Sequence, residues 1–223
     1  MLTWPMNLPA FFLLGYLMGS IPVGVVVGHL GGIDIRRYGT GNIGASNIFH
    51  NLGFLPAAVV GLGSFLQGFA PPAIAGWATG SMTVAAAAAT GSVVGYAWSG
   101  FLRLHGGSAV GTATGAVAAL APWGLVPLLL FYAIGGLIHQ SAPSVLLGLF
   151  SYIVYTVVAA LPLAVVVAGS VIVFVVVIKR LDGVRRDLHG HRERTASVIL
   201  GRLINDRKPG QHLAGPREEH GGA

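Results

Sequence analysis

Cysteine is absent from this 223-residue chain, which excludes disulfides and thiolate metal sites. Charge is nearly absent as well. Only 9% of residues are Asp, Glu, Lys or Arg, against roughly 25% in a soluble domain. Acid is the scarcest: Asp34 is the only acidic residue before Asp182. With no acid near His29 or His139, neither reads as part of a metal cluster, and both read as polar residues at span ends. No Lys or Arg precedes the first apolar segment, so the basic leader of a secretory signal peptide is missing there. What fills the chain is apolar: 54% hydrophobic residues and a mean hydropathy of +0.75. That composition defines an integral membrane protein.

The few charges are placed rather than scattered. All 13 Lys and Arg fall at Arg36 and Arg37, at Arg103, and between Lys179 and Arg217. Basic loops face the cytoplasm, so an even number of spans is expected between each of these places. The first span reads as Leu8 to Leu30 with its N-terminus outside, bent or locally loosened near Pro22. Gly15 and Gly19, then Gly24, Gly28 and Gly32, recur every four residues and give faces for close helix contact. Phe54 to about Ala75 leads outward, residues 76–80 read as an outer turn, and Met82 to Trp98 returns. The uncharged stretch that follows divides into Ala109–Leu120, Leu125–Ile138, Ser144–Ala160 and Leu161–Ile178. Four spans return the tail to the cytoplasm where three would not. Trp4, Trp77, Trp98 and Trp123 fall near span ends and read as interfacial anchors. The expected fold is therefore an all-α integral membrane bundle of about seven transmembrane helices, with the N-terminus outside and the C-terminus cytoplasmic. Residues 1–178 form the helical domain. Residues 179–223 form a basic cytoplasmic tail, partly disordered from about Lys208 onward.

Two inner loops concentrate the polar chemistry. The first is Arg36-Arg37-Tyr38-Gly39-Thr40-Gly41-Asn42-Ile43-Gly44-Ala45-Ser46-Asn47. The second runs from Ser99 through Arg103-Leu104-His105-Gly106-Gly107-Ser108 to Thr112. Each joins Arg and hydroxyl groups to glycine, which lets the backbone approach a ligand and turn its amides outward. A helix beginning after either loop adds its positive end. Such loops suit an anion at a membrane surface, although neither has the full spacing of a nucleotide-binding P-loop.

The same residues carry a family resemblance. Gly19-Ser20-Ile21-Pro22-Val23-Gly24, Gly32-Ile33-Asp34-Ile35-Arg36 and Gly39 to Asn47 resemble the first signature of the bacterial PlsY family, the acyl-phosphate:glycerol-3-phosphate acyltransferases. The family pattern is close to G-S-I-P-x-G, G-x-D-I-R and G-S-G-N-x-G-A-T-N; Thr40 and Ser46 exchange one hydroxyl residue for the other. Gly95 to Thr112 resembles the second signature, G-H-x-F-P-x-F-L-x-F-K-G-G-K-G-V-A-T. Here Tyr96 stands for the His, and His105 and Ser108 stand for the two Lys. A family Asp and Lys in the second span fall at about Ser64 and Gln67. The third signature, H-R-x-N-I-x-R-L, has two registers here, at His191-Arg192 or at Lys179-Arg180.

The resemblance implies transfer of a fatty acyl group from acyl phosphate to the 1-hydroxyl of glycerol 3-phosphate. The product is lysophosphatidic acid, made for phospholipid synthesis at the bacterial cell (inner) membrane. It implies no metal and no cofactor. It assigns Thr40, Asn42, Ser46 and Asn47 to catalysis, and Arg36, Gly41, Gly44, Arg103, His105, Gly106, Gly107, Ser108 and Thr112 to substrate phosphate. Ser20, Tyr96, His191 and Arg192 follow as further site residues. An alternative reading is a catalytically weak or inactive homologue that binds lipid or protein, because Ser108 cannot supply a lysine's point charge. The partners expected are acyl phosphate, glycerol 3-phosphate and membrane lipids; the sequence indicates no oligomeric state. A transporter is disfavoured, since no predicted span carries an ionisable group at mid-membrane. Nucleic acid is not an expected partner and ranks a poor third, since the tail has no aromatic residue for stacking and its charges are of mixed sign.

Overall fold

The computed structural model describes residues 4–138 and 141–188, apart from the side chains of 4–7, 141–142 and 182–188. Every regular element among them is helical. In chain order they are α1 (Trp4–Ser20), α2 (Val23–Leu30), α3 (Ala45–Leu52), α4 (Phe54–Thr79), α5 (Met82–Ala97), α6 (Val110–Leu120), α7 (Leu125–Leu137), α8 (Ser141–Val158) and α9 (Leu163–Leu188). Three segments are long and apolar enough to cross a membrane: Leu8–Leu30, Phe54–Thr79 and Leu163–Leu181. The others are shorter members of the same bundle, and α3 is an amphipathic helix at its edge.

α5 is the axis. It packs against α1, α4, α6 and α9 and is buried along most of its length. Its run of alanines keeps it thin enough to be surrounded. Glycines then bring backbones into direct contact. A Cβ on Gly15 would overlap the Ala88 carbonyl of α5, and one on Gly19 would overlap the Ser92 carbonyl. In return, Gly91 and Gly95 of α5 receive the carbonyls of Phe12 and Tyr16. The α4–α6 pair repeats the device, with Gly68 against the Thr112 carbonyl and Gly115 against the Phe65 carbonyl. Lipid is as apolar as leucine, so helices in a bilayer associate through such close packing rather than through hydrophobic burial.

The structure corrects several expected boundaries. The first span has the expected bounds, Leu8–Leu30, and is loosened at Pro22 as expected; the helix is interrupted between Ser20 and Val23, because Pro22 has no N–H to continue the ladder. The carbonyls freed there are not left bare. The Gln67 amide of α4 is shared among the carbonyls of Ile21 (2.7 Å), Met18 (3.0 Å) and Gly19 (3.4 Å), and Ser99 Oγ donates to Ser20 O at 2.5 Å. The expected outer turn at 76–80 is shorter than read, since α4 continues through Pro71 and Pro72 to Thr79 and only Gly80, at φ 63°, turns the chain. The break near Leu161-Pro162 is present, with Ala160 at φ 49°. α6 begins at Val110, one residue later than expected, after Ala109 at φ 58°. α9 runs on past residue 178 to Leu188. The tail residues beyond Leu188, including His191 and Arg192, lie outside the described residues.

The glycine contacts give a direct test. Gly19→Val forces a side chain into the α5 backbone and is expected to cost about 1–3 kcal/mol, read as a lower thermal unfolding midpoint in detergent. Gly136→Ala, where a Cβ meets nothing within 4 Å, is expected to leave that midpoint unchanged or slightly higher.

Candidate active site

Two loops form the candidate site: loop one between α2 and α3, and loop two between α5 and α6. Loop one opens with a 3-10 turn at Ile35–Arg37, capped by Asp34, whose Oδ1 accepts from the Arg36 amide at 3.2 Å. The same carboxylate holds the Arg36 guanidinium through two bonds of 2.8 and 2.9 Å, and Arg37 lies 3.7 Å away. Hydrogen bonding to Arg36 holds the Asp34 carboxyl well below its ordinary value, at about 2. The pair therefore keeps its opposite charges at any physiological pH.

Asn47, in the first turn of α3, organises the middle of loop one. It is 4% exposed. Its Nδ2 reaches the carbonyls of Asn42 (2.9 Å), Tyr38 (3.0 Å) and Ile35 (3.3 Å), while Oδ1 accepts from the Thr40 amide (3.1 Å) and Asn51 Nδ2 (3.2 Å). A Cβ on Gly39 would overlap Asn47 Oδ1, and Gly39 (φ 53°) and Gly41 (φ 70°) both take left-handed backbone. The glycines thus let the loop close around one asparagine.

Loop two is seated on the end of α5. Gly107 N donates to the Tyr96 carbonyl at 3.2 Å. Gly106 lies on the carbonyls of Tyr96 and Ala97 with no room for a Cβ. The Tyr96 ring forms the floor beneath Gly107, where a Cβ would come within 2.7 Å of it. Its hydroxyl faces away from the loops and accepts from Ser64 Oγ of α4 at 3.3 Å. Arg103 and Leu104 occupy left-handed backbone, at φ 51° and 65°. His105 Nδ1 lies 2.8 Å from the Arg103 carbonyl, so Nδ1–H donates and Nε2 remains for a ligand.

Asn42 joins the loops. Its Oδ1 accepts from Ser108 N (3.3 Å) and Gly44 N (3.2 Å), and its Nδ2 donates to Ser108 Oγ (3.2 Å). Thr40 Oγ1 accepts from the Asn42 amide at 3.3 Å. Asn42, Thr40, Gly44, Gly107, Ser108 and the Tyr96 floor are thereby brought together. Arg36, Thr40, Ser46, Arg103 and His105 are exposed. Two residues of the expected set lie away from the Asn42 clasp, Ser20 against the start of loop two and Thr112 beneath it. Ser20 sits at the break between α1 and α2, donating to Gly95 O (3.2 Å) and accepting from Gly100 N (3.4 Å). Thr112 is fully buried in α6, below loop two, with its carbonyl against Gly68.

Sequence reasoning missed what Gln67, Ser99 and Asn51 do. A glutamine inside an apolar span is itself a signal, because a polar group in hydrocarbon must find partners. Asn51, four residues after Asn47, is a helical neighbour that returns a bond to it.

Fold and loops together define an all-helical integral membrane protein with two paired, glycine-rich loops at one end of its bundle. The family model described as Glycerol-3-phosphate acyltransferase matches residues 9–190, and the chain belongs to that family. The glycerol-3-phosphate acyltransferase of Rubrobacter xylanophilus is 44% identical over 110 residues, 49% of this chain and 55% of that one. That of Endomicrobium trichonymphae is 34% identical over 139 residues, 62% of this chain and 68% of that one. The matched stretch spans little more than half the length of several of these relatives, 55% and 58% in the first two. The chain also resembles the crystal structure of PlsY (YgiH), an integral membrane glycerol 3-phosphate acyltransferase. Against its glycerol 3-phosphate form the TM-score is 0.73 at 29% identity, covering 86% of this chain and 98% of that one. Against its lysophosphatidic acid form the TM-score is 0.72 at 30% identity.

Two tests follow from loop one. Asn47→Leu strands several backbone groups and is expected to lower stability by about 2–4 kcal/mol, read by thermal unfolding in detergent. The Asp34 carboxyl is depressed from 3.8 to about 2, so its contribution is complete above about pH 4 and is lost as pH falls toward 2. The stability difference between wild type and Asp34→Asn should therefore shrink over that window and be flat between pH 5 and 8.

Proposed function

We propose that this chain transfers a fatty acyl group from acyl phosphate to the 1-hydroxyl of glycerol 3-phosphate, releasing lysophosphatidic acid and inorganic phosphate. The observation that carries the reading is the Asn42 clasp, which holds two glycine-rich loops, each with an exposed arginine, against one another. Family membership supplies the substrates. The donor is a mixed anhydride and already activated, so the protein's work is to position two phosphates and to stabilise the oxyanion of the addition step. The glycerol oxygen attacks the acyl carbon, the bond from that carbon to the phosphate oxygen breaks, and phosphate leaves with the hydroxyl proton.

The roles follow from where each side chain stands. Loop two, with Gly106, Gly107, Ser108, Arg103 and His105, receives glycerol 3-phosphate. Loop one, with Arg36, Thr40, Gly41, Gly44 and Ser46, receives the acyl phosphate on its exposed Arg36, Thr40 and Ser46 side chains, while the amides of Thr40, Gly41, Asn42 and Gly44 hold the loop's own shape. Asn42 stands between the two. Asn47 is a positioning residue, because its amide is committed to the loop backbone. The acyl chain lies among the apolar helices. The basic loops face the cytoplasm, the N-terminus lies outside, and the membrane is a bacterial cell membrane. Residues 1–178 carry the acyltransferase bundle and 179–223 the basic tail, although α9 continues across that boundary.

The test is reconstitution. Purified protein given acyl phosphate and glycerol 3-phosphate should release phosphate and form lysophosphatidic acid in equal amounts. Asn42→Ala should lower turnover by about 10- to 100-fold, because it opens the clasp that holds the two loops in register. Wild-type turnover equal to a no-protein control, beside an active family member, overturns the reading.

A further inference from the structure

One aromatic ring bears on both loops at once. Three groups converge on the space that a Cβ at Gly107 would fill: Tyr96 Cε1 at 2.7 Å, Asn42 Oδ1 at 3.0 Å and Ile43 Cγ1 at 3.1 Å. A ring of α5, a glycine of loop two and two residues of loop one therefore meet at one point. The next amide along, Ser108 N, is the one that Asn42 Oδ1 accepts. Tyr96 is held at both ends beside that point. Its carbonyl accepts from Gly107 N at 3.2 Å. Its hydroxyl accepts from Ser64 Oγ of α4 at 3.3 Å. Ser64 is 3% exposed, and its Cβ lies 3.0 Å from the place a Cβ on Gly111 of α6 would take. The tyrosine thus reaches from the last turn of α5 to the meeting of α4 and α6. It is 4% exposed, and the one polar atom of its side chain is turned to a hydroxyl inside the bundle.

We infer that Tyr96 is a positioning residue for the acyl transfer: it touches neither substrate, and its ring sets loop two against Asn42. The inference rests on the acyltransferase reading above. Close packing transmits the position of the ring to the peptide that lies on it. Gly107 has no side chain to absorb a displacement, so a change in the ring moves the 107–108 peptide relative to Asn42. A misplacement of about 1 Å costs on the order of 100-fold in rate. The task is carried by the shape of the ring rather than by the chemistry of the hydroxyl. A leucine leaves the space beneath Gly107 partly empty, and an imidazole does not extend to Ser64. A phenylalanine fills the same space and removes only the partner of Ser64. A helical serine has another acceptor four residues back, here the Val60 carbonyl.

The experiment compares wild type with Tyr96→Leu, Tyr96→Phe, Tyr96→His, and Tyr96→Leu combined with Asn42→Ala. Each is assayed for kcat at saturating substrates, well below its own thermal midpoint, and the single variants are followed from about pH 6 to 8, where histidine changes charge. Tyr96→Leu should lower kcat about 10- to 100-fold. Tyr96→Phe should recover most of that loss and keep the wild-type pH profile. Tyr96→His should be as slow as Tyr96→Leu and gain no new titration step. The double variant should be about as slow as the slower of its two single variants, because both act on one contact. If Tyr96→Leu fails to fold, Tyr96→Met is read in its place. Four results each overturn the inference while leaving the acyltransferase reading standing: wild-type turnover in the Leu or Met variant, a Phe variant as slow as it, a His variant as fast as wild type, or losses that multiply in the double variant. A wild type without turnover overturns both.

Discussion

Backbone-to-backbone contact across glycine is the constraint on which the molecule depends. Gly15 and Gly19 of α1 meet Gly91 and Gly95 of α5 in one reciprocal seam, and Gly68 and Gly115 join α4 to α6 in another. Both seams fix the height of α5 within the bundle. The position of its last turn follows, and with it the Tyr96 and Ala97 carbonyls that seat Gly106 and Gly107. Loop two is thus located by packing deep in the bundle rather than by its own sequence. Loop one is located twice: from below, where the Ile43 carbonyl fills the space a Cβ on Gly24 would take, and from the side by Asn42.

Two asparagines divide the labour in loop one. Asn47 faces inward and turns an irregular stretch into a fixed shape through bonds to three carbonyls and an amide. Asn42 faces outward and bonds a second loop. An amide suits both tasks because it donates and accepts from one rigid plane. Charge is kept at the rim: Arg36 is steadied by Asp34, and Arg103 projects from a left-handed residue. Between the loops the groups are neutral, polar and pre-arranged.

Much of the bundle was legible in the sequence, and the reasons are physical. The rarity of charge made each arginine a topological marker, and the demand that the basic places share a face selected four helices where the apolar run alone allowed three. Lys179 against Trp98, and Asn42 against Ser108, place both loops and Lys179 at one end of the bundle. The motif spacing identified the loops and the helix that begins at Ala45. Less legible were the partners. Nothing in the order of residues says that Gln67 serves carbonyls 46 to 49 positions earlier, or that Tyr96 points its hydroxyl at Ser64. The end of α4 was hidden by Gly76 and Gly80, which made residues 76–80 read as a turn although the helix runs on to Thr79; Pro71 and Pro72 sit inside it, as prolines can in a membrane bundle.

The amide of Gln67 bears on how the chain enters a bilayer. It stitches the broken first span to α4 without a formal charge, and the Ser64–Tyr96 hydroxyl pair beside it is neutral too. An Asp or Lys at the centre of a span costs about 2.5–3.5 kcal/mol during insertion; α4 carries neither. It can partition into lipid as an independent segment before α1 and α5 have closed around it. Biogenesis and assembly are thereby separable steps.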